Sequence, residues 1–237
     1  MTEDSTNDNL SDVKLFHSFV PHKFRLLTLI GFIRTHLNDK IVVACCNSGV
    51  TEFLKLLISS PNFIDIRCDA VHGKQDEKHR QDSIKRFNSG EVSVLIGTSL
   101  LLSTIKIDRP TWLIHYDIPK EVPEEIQIIK NIHPEKFLLF IDESQKKYLD
   151  LLKQVKIVTK EIPHDPKKVP PIQDKIIKIT NDKNHLLYMA SQSGYRGLIQ
   201  TYVNHENNDI FNARELNVLD VSINFGIKYP PKLQLSK

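Results

Sequence analysis

The sequence predicts an α/β fold: a parallel sheet with helices on both faces, followed by a small, wholly helical segment. Three observations carry that reading. Short apolar runs rich in β-branched residues alternate with helical periods between residues 20 and 162. The alternation stops at a proline-rich stretch, residues 163–171. Beyond it only helical periods recur. Strands that alternate with helices imply right-handed β-α-β crossovers and a sheet buried on both sides.

The elements follow in order. Pro21 suits the first turn of a helix, and Leu26, Ile30, Ile33 and Leu37 then recur on one face. Ile41 to Cys45 reads as a buried strand, and Val50–Ile58 as a helix ended near Ser59-Ser60-Pro61. Ile64 to Val71 is the next strand. Residues 76–88 form a helix with Ile84 and Phe87 inward, stopped by Asn88-Ser89-Gly90. Val92 to Ile96, Trp112 to Tyr116 and Phe137 to Ile141 supply three more strands. Asp142 and Gln145 have the spacing of a capping box, ahead of Tyr148, Leu151, Leu152 and Val155 on one helix face. After the linker, helical patterns cover Ile172–Ile179, Leu186–Val203 and Asn212–Ile223, and Pro230-Pro231 closes the ordered part.

Composition narrows the class. The chain has 237 residues, 40% hydrophobic and 26% charged, enough for a real core. No apolar run approaches the roughly 18 residues of a membrane span. Met1 to Asp12 carry Glu3, Asp4, Asp8 and Asp12 with no base, so residues 1–14 read as a disordered acidic tail and not a secretory leader. That acidic start behind Met1 reads as a natural beginning. Without its four carboxylates the chain carries +7 in place of +3, a mild basic bias compatible with RNA. Cys45, Cys46 and Cys68 lie in apolar segments with no C-x-x-C pair, which reads as buried free thiols and neither zinc nor disulfides. The histidines show no metal spacing.

Ligands of such sheets sit at the carboxyl ends of the strands, here near Cys46, His72, Thr98 and Asp117. Two segments there and at the tail are informative. One is Val71-His72-Gly73-Lys74-Gln75, followed by Arg80, Phe87 and Ser89-Gly90-Glu91. The other is Phe211-Asn212 with Ser222-Ile223-Asn224-Phe225-Gly226-Ile227-Lys228-Tyr229-Pro230-Pro231. With Trp112…Tyr116-Asp117 between them, residues 15–235 resemble the C-terminal half of DEAD-box RNA helicases, most of all the nucleolar subgroup of ribosome assembly. The resemblance implies a RecA-like domain over residues 15–162, a linker at 163–171 and a helical C-terminal extension over 172–237. It also implies RNA-backbone contacts at Gly73, Arg80 and Thr98. Gly73 lets backbone N–H groups approach a phosphate, Arg80 supplies charge, and Thr98 a hydroxyl.

The same resemblance marks departures. Where the family has T-D-x-A-x-R-G-x-D, this chain has Ser99 for the first aspartate, Ser103 for the arginine, Thr104 for the glycine and Lys106 for the last aspartate. Where the family has H-R-x-G-R-x-x-R, residues 124–133 contain no arginine. Lys130 is a point charge and does not replace forked guanidiniums. No G-x-x-x-x-G-K-[ST] and no D-E-A-D segment occur, and Asp142-Glu143-Ser144 reads as a helix start. ATP cleavage needs a phosphate cradle, a magnesium carboxylate and a charge clamp. The expectation is therefore no catalytic residue and no cofactor, with ATP and magnesium entering only if a separate N-terminal helicase domain complements the chain.

Three functions follow. The first is an RNA-binding module without its own ATPase, working in the nucleus or nucleolus. The second is the C-terminal half of an active ATP-dependent helicase. The third is a protein-binding scaffold with no RNA role, whose partners would include pre-ribosomal proteins. Acid–base pairs of His115 with Asp117, or His72 with Asp76, were the other enzymatic options. The lysine series 153, 156, 160, 167, 168, 175 and 178 reads first as a solvated face and second as added phosphate affinity.

Overall fold

The computed structural model describes residues 10, 12–183 and 185–231. Most of the acidic tail and the final residues lie outside these. Asp12 and Val13 are placed: Asp12 Oδ2 lies 2.9 Å from Arg109 and 3.2 Å from His133, and Val13 is buried.

The described chain forms a seven-stranded parallel sheet with the order β3-β4-β2-β5-β6-β1-β7. The strands are β1 (Lys14–Phe19), β2 (Ile41–Cys45), β3 (Cys68–Val71), β4 (Val94–Thr98), β5 (Trp112–His115), β6 (Lys136–Ile141) and β7 (Lys160–Glu161). The helices between them are α1 (His22–Thr35), α2 (Ser48–Ile58), α3 (Glu77–Ser89), α4 (Ser99–Leu102), α5 (Val122–Ile132) and α6 (Lys147–Gln154). Central β2 is buried at every position, as its unbroken Ile-Val-Val-Ala-Cys run requires of a strand covered on both faces.

Right-handed crossovers fix the layers. The connections through α1 and α2 run one way across the sheet, and those through α3, α4, α5 and α6 run the other way. The two groups therefore cover opposite faces. The segment after residue 171 adds a second layer over α1 and α2. It contains α7 (Gln173–Thr180), α8 (Leu186–Val203) and α9 (Val218–Asn224). Helix α8 lies so close to α2 that a Cβ on Gly49 would meet the Ser193 carbonyl oxygen at 2.7 Å. The rings of Phe53 and Phe225 sit 5.2 Å apart, so α2 and the end of α9 share one core.

The structure departs from the sequence reading at several places. Strand β1 was not foreseen: Lys-Leu-Phe-His-Ser-Phe lacks clean alternation, and its parallel partner β6 lies more than 100 residues away. Ile64–Arg67 is not strand, because Asp65 is left-handed (φ 58°) and its N–H turns back to Ser60 O. Leu37 falls beyond the end of α1 and is exposed, as is Val155 after α6. Residues 212–217 form turns, and helix begins only at Val218, where Asn217 accepts the Asp220 N–H. The capping box at Asp142 and Gln145 is present, opening a short 3-10 turn ahead of α6. The three cysteines are free; Cys45 and Cys68 are buried and Cys46 is half-buried.

Candidate nucleic-acid interface

β3 and β4 are neighbours, and Val71 pairs with Gly97. The chain leaves both strands at the same end, so Gly73 and Thr98 share one corner of the sheet. Gly73 lies in an exposed turn, and a Cβ there would meet nothing within 4 Å. Gln75 locks that turn: its Oε1 accepts the His72 N–H at 2.9 Å, and its Nε2 donates to Ala70 O at 3.0 Å. His72 Nδ1 accepts the Lys74 N–H at 3.3 Å. Its Nε2 therefore carries the hydrogen and donates to Glu52 on α2 at 2.6 Å. Asp76 then caps α3 by accepting the His79 N–H at 2.8 Å.

Arg80, in the first turns of α3, folds back onto this loop. Its guanidinium donates to the Gln75 carbonyl and to Glu77. The hydrogen bond from Arg80 holds the Glu77 carboxyl below its usual range. A phosphate at Gly73 would compete with Glu77 for the same cation. Thr98 precedes α4 and its hydroxyl makes no capping hydrogen bond, so it remains available at the strand end. The structure thus brings Gly73, Arg80 and Thr98 to one edge. Glu52, Gln75 and Asn47 complete the setting and were not singled out in the sequence. Asn47 had left a signal, a capping residue ahead of Ser48-Gly49, and its Oδ1 accepts both the Gly49 and Val50 N–H groups.

The neighbouring strand ends hold a buried polar network. Arg25 Nη1 donates to Asp117 Oδ1 at 3.2 Å and to Tyr116 O at 3.3 Å, and its Nη2 to Gln145 Oε1 at 3.0 Å. Asp117 Oδ2 accepts the Cys46 N–H at 3.3 Å. Burial pushes the Asp117 carboxyl up while Arg25 pulls it down, and burial prevails. Thr201, Tyr202 and Phe211 of the extension close over this network, leaving a cavity of about 10 Å³. That is at most room for one water.

Neither acid–base pair forms. His115 faces Glu125, with Nδ1 and Oε2 3.2 Å apart in a fully buried contact that lacks hydrogen-bond geometry. His72 bonds Glu52, and Asp76 is taken by its helix cap.

The resemblance implies a nucleoside triphosphate with magnesium beside α4 and α5, and the residues there do not fit it. Ser99 Oγ donates to Cys45 O at 3.3 Å, Ser103 Oγ to Leu100 O and Thr104 Oγ1 to Leu101 O at 2.8 Å each. The Ser103 and Thr104 hydroxyls are turned onto their own helical turn, and that of Ser99 onto β2. Helix α5 buries Ile128, Ile129 and Ile132 and carries Lys130 as its sole cation.

The seven-stranded parallel sheet with helices on both faces is RecA-like. Residues 23–133 match the family described as the helicase conserved C-terminal domain. That part of the chain is similar to this domain, and the relatives it matches are DEAD-box RNA helicases. It is 29% identical over 235 residues to DEAD-box ATP-dependent RNA helicase 27 of Oryza sativa, covering 97% of this chain and 39% of that protein. It is 27% identical over 242 residues to the human ATP-dependent RNA helicase DDX18, covering 99% of this chain and 35% of that one. With has1 of Schizosaccharomyces pombe it shares 25% over 217 residues, 90% of this chain and 37% of the relative. The chain therefore spans little more than a third of these proteins. Among solved structures, domain 2 of the DEAD-box helicase Mss116p bound to an RNA duplex superposes with a TM-score of 0.73 at 16% identity, covering 92% of this chain and 88% of the other. The C-terminal domain of the DEAD-box protein Dbp5 gives 0.56 at 16% identity, over 67% of this chain and 95% of that domain. At such identities the agreement is one of fold. No helix among the described residues is long and apolar enough to cross a membrane, and they contain no group of three or more His, Cys, Asp or Glu that could hold a metal ion.

Proposed function

We propose that this chain is an RNA-binding module built on a helicase C-terminal domain, holding the RNA backbone at Gly73, Arg80 and Thr98. The observation that carries this is their convergence at the ends of adjacent strands, with an open glycine turn and an uncommitted hydroxyl. Phosphate and sugar contacts of this kind position a nucleic acid without reading its sequence. RNA as the partner is further supported by Mss116p domain 2, which is itself described bound to an RNA duplex. The domain division we adopt is a RecA-like body over residues 15–162, a linker at 163–171 and an extension from 172.

The chain does not hydrolyse ATP by itself in this reading, because the hydroxyls beside α4 are self-satisfied and α5 lacks a charge clamp. Arginine fingers contribute roughly 10³–10⁵ in rate where they act. The setting we infer is ribosome assembly in the nucleus, on the likeness of the Phe211-to-Pro231 segment to that subgroup.

Filter binding to a labelled RNA tests the assignment. Arg80→Ala and Thr98→Ala each weaken binding about tenfold in this reading, in line with a charge-assisted or hydroxyl contact of roughly 1.5 kcal/mol. Unchanged affinity in both removes the site. RNA-stimulated phosphate release by the purified chain would overturn the inactive reading.

A further inference from the structure

We propose a second RNA-backbone surface at the edge of the sheet opposite the Gly73 corner, formed by Lys156, Lys160 and Lys167. Residues 146–178 contain nine lysines, four carboxylates and no arginine, a surplus of five charges in a chain whose total is +3. All nine lysines are exposed. The four carboxylates, Asp150, Glu161, Asp165 and Asp174, offset four of the nine charges and leave five. Lys153 and Lys168 lie 3.3 and 3.9 Å from Asp150 and Asp165, Lys147 lies 3.3 Å from Asp209, and Lys175 donates to the Asn62 carbonyl. Lys146, Lys156, Lys160, Lys167 and Lys178 form no ion pair among the described residues.

The fold gathers that charge. Lys156 lies in the turn into β7, Lys160 begins β7, and Lys167 lies in the short 3-10 turn Pro166–Lys168 that follows. β7 pairs with β1 on one side only. Flexible lysines without carboxylate partners act as point charges and suit a phosphate chain whose spacing they need not match. A structured protein partner would need an apolar centre. The exposed apolar residues nearby, Val155, Val158 and Ile162, are aliphatic and lack the aromatic anchors of such a centre.

The sheet order sets a ruler. β3, which leads into Gly73, is the first strand and β7 the last, six spacings apart. At ~4.8 Å each the two edge strands are about 29 Å apart. An A-form RNA duplex, rising ~2.8 Å per step, covers that distance in roughly ten base pairs. Bridging rests on the function proposed above; the lysine surface itself does not.

The test uses the full chain with two hairpin-capped RNA duplexes, of five and of twenty base pairs, titrated over a salt series. The charge reversal Lys156→Glu, Lys160→Glu, Lys167→Glu should weaken binding of the long duplex about tenfold or more and lower its log–log salt slope by about 2 to 3. The milder set Lys156→Gln, Lys160→Gln, Lys167→Gln should give a smaller loss in the same direction, with an unchanged thermal melt. Arg80→Ala should weaken both duplexes. If reversal leaves the long duplex's affinity and slope unchanged while Arg80→Ala weakens it, the second surface is wrong and the lysines face solvent or a protein. If reversal weakens binding and Arg80→Ala does not, this surface stands and the Gly73 corner falls. A wild-type chain that binds neither duplex overturns both.

Discussion

Asn224 and Tyr116 meet in the interior, the phenol hydroxyl donating to the amide oxygen at 2.9 Å across a separation of 108 residues. The same oxygen accepts the Leu26 backbone N–H at 2.9 Å. One side chain at the end of α9 thus satisfies the end of β5 and the interior of α1 together. Burial holds the Tyr116 phenol well above its usual range, so it remains a donor throughout the accessible pH range.

Replacing Asn224 with leucine should strand the Tyr116 hydroxyl and remove the bond to the Leu26 N–H. A buried unsatisfied polar group costs about 1–3 kcal/mol. Asn224→Leu is therefore expected to lower unfolding stability by at least that amount in urea titration. Tyr116→Phe, which removes only one donor, should cost less. Equal losses would show that the Leu26 bond contributes nothing.

The Arg25–Asp117 pair should be asymmetric in the same way. Arg25→Met removes the cation and leaves a buried carboxylate facing Cys46 N–H alone. Breaking one side of a buried ion pair costs about 3–5 kcal/mol. Urea midpoints of Arg25→Met and of Arg25→Met with Asp117→Leu check this, and the double variant should recover part of the loss. Failure of the double variant to recover would mean that packing at Arg25, and not its charge, dominates.

His115 and Glu125 give the protein a stability maximum on the acid side of neutral. Burial pushes the His115 imidazole down to about 3 and the Glu125 carboxyl well above its usual range, so both are neutral in the folded chain. His115 binds fewer protons folded than unfolded, so its contribution is lost as pH falls from about 6.5 toward 3. Glu125 binds more protons folded, so stability is lost as pH rises above its unfolded value near 4.3. Between about 4.3 and 6.5 the two slopes oppose each other. Above 6.5 the His115 contribution is complete, and the Glu125 loss continues up to its raised folded value at up to about 1.4 kcal/mol per pH unit. Glu125→Gln should flatten that alkaline limb in urea titrations from pH 6.5 to 9. A limb equally steep in the variant would assign it to another group.

Two glycines should behave oppositely. Gly49→Ala drives a methyl group against the Ser193 carbonyl and should destabilise by about 1–3 kcal/mol, read as a lower melting temperature. Gly73→Ala has open space and should leave the melt unchanged. Its effect belongs to RNA affinity, where the added methyl sits at the phosphate's approach.

Much of the fold was legible because strong local signals agree. Ile41–Cys45 is apolar throughout and became the central strand. Asp142 and Gln145 announced a helix start, and the caps formed. What stayed hidden depends on distant partners. β1 is a strand because β6 and β7 hold it, and its own residues do not alternate. Arg25 carries no local signal of burial; it is buried because Asp117, Gln145 and two carbonyls, all remote or around a turn, receive its hydrogens. At the candidate site, Gly73, Arg80 and Thr98 were legible through motif order. The Glu52 contact that shapes the loop was not, since nothing in its spacing relates α2 to the end of β3.

The near-touching backbones of α2 and α8 have a practical corollary for anyone dissecting this protein. A polypeptide stopped at the prolines around residue 170 would present Phe53 and the small-residue flank of α2 to water, without Phe225 or α8 above them. Such a fragment should self-associate on concentration, and expression work is better begun with the last helix retained.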